Sequence, residues 1–171
     1  LFLVLSLMAP RLPWGSGYYK NTVFVVDCSA SMKISYEGKT RYAHATDWVA
    51  NYLASSNGKT RSYLITASNE NSLVVAGSMQ SEKVLQKLNT TKPSYDVCDI
   101  EEAMQMAKTL GESLNESYEI IVLTDKKPLQ QMSNSHLVCF GNSGQNGAIS
   151  FMAYDEQGEE AAVLVQVMNK G

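Results

Sequence analysis

The chain holds 171 residues, 44 % hydrophobic and 18 % charged, a size and composition that bury one ordinary core and exclude wholesale disorder. Fourteen Lys and Arg against 17 Asp and Glu leave a net charge of −3. That balance excludes a nucleic-acid groove, which needs a concentrated basic face to displace counterions.

The chain opens on an apolar run, Leu1 to Ala9, interrupted only by Ser6 and followed by Pro10, Arg11, Pro13 and Trp14. Nine residues fall short of the roughly 20 that span a bilayer, and neither a basic leader nor a small-residue cleavage site marks a signal peptide. A buried first strand or a packed helix would account for the run. The favoured expectation for residues 1–17 is the last half of a membrane helix: a helix stop with a cation and an interfacial aromatic suits a membrane boundary. Gly15-Ser16-Gly17 then serves as a hinge before the first convincing strand.

Thr22 to Val26 is a short β-branched and aromatic run, as expected of a strand buried on both faces. Between Arg41 and Ser55, Ala45, Trp48, Val49, Tyr52 and Leu53 fall on one face of a helix, which Asn57-Gly58 ends. Ser62 to Ala67 reads as a strand, Leu73 to Ala76 as a shorter one, and Val84, Leu85 and Leu88 as a small helix. Ile100, Ala103, Met104, Ala107 and Leu110 mark a further amphipathic helix, with Asp99 placed to cap it and Glu102 at the capping-box position. Tyr118 to Leu123 is a second fully buried strand and His136 to Phe140 a third. Strands alternating with helices predict a mostly parallel sheet covered on both faces. Ala148 to Tyr154 and Ala161 to Met168, joined by an acidic link, form a hairpin pattern. It is either an edge of the main sheet or the start of a second, β-rich domain. The expected organisation is thus 1–17, 18–142 and 143–171.

Ligands of open α/β sheets bind outside the carboxyl ends of the strands. There the first buried strand runs into Asp27-Cys28-Ser29-Ala30-Ser31, and the strand at 118–123 into Thr124-Asp125-Lys126-Lys127. Two carboxylates and two hydroxyls gather at one edge, a set of hard oxygen donors that suits Mg²⁺ or Mn²⁺ and neither zinc nor copper.

These residues resemble a known family. Val23-Phe24-Val25-Val26-Asp27-Cys28-Ser29-Ala30-Ser31-Met32 is similar to the opening of a von Willebrand factor A domain, whose Asp-x-Ser-x-Ser is the core of the metal-ion-dependent adhesion site. Ile120 to Asp125 resembles the later strand that delivers the family's last Asp, and Cys98-Asp99-Ile100-Glu101-Glu102-Ala103-Met104 its Thr-Asp-x-x-x-Ala-Leu segment. The likeness covers about residues 20–140. It implies a three-layer, Rossmann-like α/β fold in which Asp27, Ser29 and Ser31 hold Mg²⁺ or Mn²⁺, directly or through water, and Asp125 contributes from the facing loop. In this family a partner protein's carboxylate typically completes the coordination, so the function implied is adhesion-like binding. Two positions depart from the pattern. The family's Thr ligand is Cys98, a soft thiol and a poor Mg²⁺ ligand. The Gly after the last Asp is Lys126, a cation that competes with a metal. Asp96 and Asp99 are the neighbouring carboxylates. The flanks resemble bacterial membrane-anchored aerotolerance (Bat-type) proteins, which implies an A domain on the outer face of the cytoplasmic membrane and a β-sandwich opening at Val165-Gln166-Val167.

Other chemistries lack their residues. Gly58-Lys59-Thr60 has Leu53 where a phosphate loop needs its first Gly. Gly141-Asn142-Ser143-Gly144-Gln145 has Gln where a nucleophile elbow needs Gly. A haloacid-type phosphatase needs Asp where Ser29 stands, and Cys28 lacks the Arg of a cysteine phosphatase. Only His44 and His136 are present, the first on a helix and the second opening a strand, which argues against a zinc site or triad. Cys28, Cys98 and Cys139 form no Cys-x-x-Cys and read as small buried hydrophobes, with Cys28 and Cys98 both in the metal loops. Two function classes remain: a non-catalytic module that binds an acidic group of a protein partner through a divalent ion, or a metal-free A domain serving as an assembly part of a membrane complex.

Overall fold

The computed structural model describes residues 21–56, 58–95, 98–126, 132–141, 147–157 and 160–169. The expected membrane-helix end at 1–17 and the carboxylate of Asp96 lie outside them. Among the described residues no helix is long and apolar enough to cross a membrane. The chain divides into two compact units, with the break between Phe140 and Gly141.

The first unit is built on a five-stranded sheet. In chain order its elements are β1 (Asn21–Asp27), a 3₁₀ turn (Ala30–Lys33), the two-residue strands β2 (Ser35–Tyr36) and β3 (Lys39–Thr40), α1 (Arg41–Ser56), β4 (Arg61–Ala67), β5 (Ser72–Ser78), α2 (Ser81–Thr90), α3 (Ile100–Ser113), β6 (Tyr118–Thr124) and β7 (Ser135–Cys139). The strand order is β5-β4-β1-β6-β7. β1 pairs in parallel with both β4 and β6, and β6 with β7; only β5 runs antiparallel, to β4. The sheet is therefore mixed and mostly parallel, as the alternation of elements predicts.

Alternation along β1 feeds two cores. Phe24 and Val26 join Ile121, Leu123 and Leu64 beneath α1 and α2, where Ala45, Val49, Leu53, Val84 and Leu88 pack. Val23 and Val25 join Ile120, Val122 and Ile65 beneath α3, against Ile100, Ala103, Met104 and Ala107. Every residue of β1 is buried, which is why its sequence is a continuous apolar run rather than an alternating one. Helix α3 starts as the capping pattern predicts, with the Glu102 amide donating to the Asp99 side chain at 3.0 Å.

One expectation is corrected. The strand at 136–140 reads as fully buried, yet β7 leaves His136, Leu137 and Cys139 exposed. It is the outermost strand, paired with β6 alone, so one edge has no covering neighbour in the sheet. In the second unit, β8 (Gly147–Gln157) and β9 (Glu160–Asn169) pair antiparallel in a two-stranded sheet of their own.

Where α3 crosses the sheet, Gly111 lets Tyr118 lie against the helix. A Cβ at 111 would stand 2.3 Å from the Tyr118 ring, inside van der Waals contact. Gly111→Ala gains helix propensity yet must displace that ring. We expect a net destabilisation of about 1–3 kcal/mol, read as a lower denaturant midpoint at unchanged slope; an equal or higher midpoint would show that the ring moves freely.

Candidate functional site

The candidate residues meet at the carboxyl ends of β1 and β6. Asp27, the last residue of β1, has 0 % of its surface exposed. A buried carboxylate requires donors, and the local sequence supplies them. The Ser29 amide donates to its Oδ1 at 2.8 Å, and the Thr124 hydroxyl donates to its Oδ2 at 2.6 Å. The Cys98 thiol lies close enough to Asp27 for the carboxylate's charge to act on it.

From this anchor a line of oxygens leads outward. Ser29 Oγ lies 3.0 Å from Ser31 Oγ, and Ser31 Oγ donates to Asp125 Oδ1 at 2.9 Å. The structure thus brings together all four residues that sequence reasoning nominates, Asp27, Ser29, Ser31 and Asp125. Cys98 belongs to the same cluster. Asp99 does not: its carboxylate is the cap of α3.

Two contributors escape the motif. Thr124 is completely buried and serves Asp27 directly. Arg41, the first residue of α1, places Nη1 2.6 Å from Asp125 Oδ2, with only 6 % of each side chain exposed. The same nitrogen reaches the Ser31 carbonyl at 3.4 Å. A cation at a helix N-terminus opposes the helix dipole, and that local anomaly in Thr40-Arg41-Tyr42 is the sequence signal that Arg41 has business elsewhere.

Burial first, and the Asp27 charge second, push the Cys28 and Cys98 thiols up to about 12. For Cys98 the nearby Lys126 ammonium pulls the other way. Both cysteines are therefore neutral thiols at physiological pH. Lys126 itself is exposed, and its amide donates to Thr124 Oγ1 at 3.2 Å.

The donor set bears on a divalent ion in two ways. The oxygen spacings of 3.0 and 2.9 Å are hydrogen-bond lengths, and they also match the edge, about 3 Å, of an octahedron with Mg²⁺–O bonds of about 2.1 Å. Among the described residues no three His, Cys, Asp or Glu side chains converge on one point, so an ion here would be held by hydroxyls and water together with the two aspartates. That pattern fits Mg²⁺ or Mn²⁺ and excludes soft metals. Beside the site, an open cleft of about 330 Å³ is walled by Cys28, Thr66, Ser68, Glu70, Lys92 and Ser94. Next in sequence to Ser94 of that wall, Tyr95 is 85 % exposed, with Lys33 over its ring 3.2 Å from the centroid.

The family model that matches the chain is the von Willebrand factor type A domain, over residues 22–127. No curated protein sequence matches. Among solved structures, an aerotolerance-related membrane protein from Bacteroides fragilis is 13 % identical with a TM-score of 0.62, over 85 % of this chain and 80 % of that one. BatB from Bacteroides thetaiotaomicron is 16 % identical with a TM-score of 0.60, over 88 % and 80 %. The type V pili tip protein Mfa5 from Porphyromonas gingivalis is 19 % identical with a TM-score of 0.50; the match covers 61 % of this chain and only 19 % of that structure. At such identities the likeness is one of fold.

The thiols give a test. Native protein at pH 8 should yield one fast-reacting cysteine, the exposed Cys139, to a disulfide reagent, and three once denatured. Folding holds Cys28 and Cys98 protonated above their ordinary value of 9.0. The unfolded chain then binds fewer protons than the folded one, so stability should fall as pH rises from about 9 towards 12. Urea midpoints across that range check it; a flat profile contradicts it.

Proposed function

This chain belongs to the von Willebrand factor type A domain family, and from that premise we propose that it is a non-catalytic protein-binding module. Its carboxyl-end face captures an acidic group of a partner protein through Mg²⁺ or Mn²⁺. The observation that carries the reading is the run of oxygens from Ser29 Oγ through Ser31 Oγ to Asp125 Oδ1 at 3.0 and 2.9 Å. Ser29 and Ser31 would hold the ion, with Asp27 and Asp125 contributing directly or through water. When bound, the ion supplies an open position for a carboxylate oxygen of the partner.

The chain's own residues do the rest. Asp27 fixes the Ser29 amide and with it the path of the loop. Thr124 ties that loop to the end of β6, and Asp125 orients the Ser31 hydroxyl. The polar cleft beside the site and the exposed Tyr95 offer area for the partner's flanking residues, an aromatic anchor being a frequent energetic centre of interfaces. None of these groups is an activated nucleophile or a tuned general base. One structural neighbour is a membrane protein, and with the Bat-type resemblance of the flanks this supports the proposal that the domain acts at a membrane, on its outer face.

A second reading is favoured by Arg41 and Cys98. A guanidinium already neutralises Asp125, and a neutral thiol stands at the family's Thr position. A metal-free domain that serves as an assembly part of a membrane complex fits both.

Calorimetry separates the two. We expect the chain to bind Mn²⁺ or Mg²⁺ in the millimolar range or tighter, and Asp27→Ala to abolish the heat while circular dichroism shows an intact fold. Should Asp27→Ala unfold, Ser29→Ala should still weaken binding. Absence of any binding at millimolar Mg²⁺ in the unmodified chain sinks the metal-dependent reading and leaves the second.

A further inference from the structure

We infer that Arg41 is a resident cation of this site: it supplies to Asp125 the positive charge that keeps the loop assembled without a metal, and a divalent ion binds against it. Three observations point the same way. The guanidinium and the Asp125 carboxylate are both nearly out of water and 2.6 Å apart, a geometry in which the charges are strongly coupled. Arg41 opens α1, where the positive end of the helix dipole disfavours a cation. Its Nε is buried and has no hydrogen-bond partner among the described residues, an arrangement that is unfavourable in itself. The side chain stays there against both terms, and Asp125 and the Ser31 carbonyl are the groups that hold it.

The two buried carboxylates are thus treated differently. Asp27 takes hydrogen bonds from neutral donors, the Ser29 amide and the Thr124 hydroxyl. Asp125 is balanced by a full charge. With Arg41 in place Oδ1 of Asp125 remains turned to Ser31, so the oxygen run has its spacing before any ion arrives. An ion entering there meets a site already half neutralised, and its affinity is lowered by repulsion from the guanidinium. This last step rests on the metal reading proposed above; the role of Arg41 as the charge that assembles the loop does not.

The full chain and its Arg41→Met variant, which keeps an apolar stem and removes the charge, separate the parts. Thermal melts in EDTA and in millimolar Mn²⁺, with Mn²⁺ binding followed by electron paramagnetic resonance, give the readouts. We expect the unmodified chain to melt only slightly higher in Mn²⁺ than in EDTA, the small rise that weak binding gives. Arg41→Met should melt lower in EDTA by on the order of 10 °C, recover part of that loss in Mn²⁺, and bind Mn²⁺ about tenfold more tightly. A variant as stable as the parent in EDTA overturns the resident cation. A variant that is destabilised but binds Mn²⁺ no more tightly than a binding-competent parent overturns the competition. If neither protein binds Mn²⁺, the metal reading falls with the competition, and the EDTA melts alone judge the role of Arg41. Should Arg41→Met not fold, Asp125→Asn and the double variant decide: a double variant more stable than expected from the two single losses supports the pair, and strict additivity contradicts it.

Discussion

Asp27 stands at the end of the central strand with none of its surface in water, and most of the upper face of the domain follows from satisfying it. A carboxylate in that position is tolerated only with donors on its lone pairs. One comes from two residues along the chain, and this sets the turn that leads β1 into its 3₁₀ turn. Another comes from Thr124, 97 residues away in sequence and adjacent in the sheet because β1 and β6 pair in parallel. Cys98, two residues before α3, stands within reach of the same charge. The loops after the two strands are thereby held to a common point. The Ser94 amide adds to this by donating to the Cys28 carbonyl at 2.8 Å.

The sheet beneath makes this economical. Because every side chain of β1 is buried, the strand offers no solvated face, and its end is the first place where polar groups can be exposed to a ligand. Burial of Phe24, Val23, Val25 and Val26 between α1 and α2 on one side and α3 on the other fixes the direction of the strand. Loss of a large side chain such as Phe24 from that layer would cost several kcal/mol, more than the hydroxyl contacts above it supply. The site is positioned by apolar packing, and its own hydrogen bonds select among the few loop paths that packing leaves.

Much of this was legible in the chain. Continuous β-branched runs at 22–26 and 118–123 have only one stable environment, a strand covered on both faces, and α1 and α3 declare themselves by period. Asp-x-Ser-x-Ser after the first strand and Thr-Asp after the later one place four oxygen-bearing residues at one edge, and the structure puts them in contact. The exposure of β7 was hidden because composition reports what a strand could bury and says nothing about its rank in the sheet. Arg41 was hidden for a related reason. Its partner is 84 residues away, and no local pattern links the start of one helix to the end of a distant strand. The fact that burial keeps the Cys98 thiol neutral depends on depth, which sequence does not carry.

The opposite end of the same sheet offers a comparison. Glu119, near the start of β6, is also buried, 6 % exposed. It accepts from the hydroxyls of Thr22, at 3.0 Å, and of Tyr52, with His136 at 3.8 Å on its second oxygen. Tyr52 is itself wedged between the Phe24 edge and the Trp48 face. Here hydroxyls from a strand and a helix close over a single carboxylate, leaving no line of free oxygens behind. At the carboxyl end a chain of serine hydroxyls runs from Ser29, whose amide serves Asp27, to Asp125, and Asp125 pairs with a guanidinium. One arrangement completes a core; the other stores paired charge at a surface beside an open cleft. The same fold buries acid at both ends, and at the carboxyl ends of the strands, where open α/β sheets place their ligands, the acid is joined by a run of serine hydroxyls.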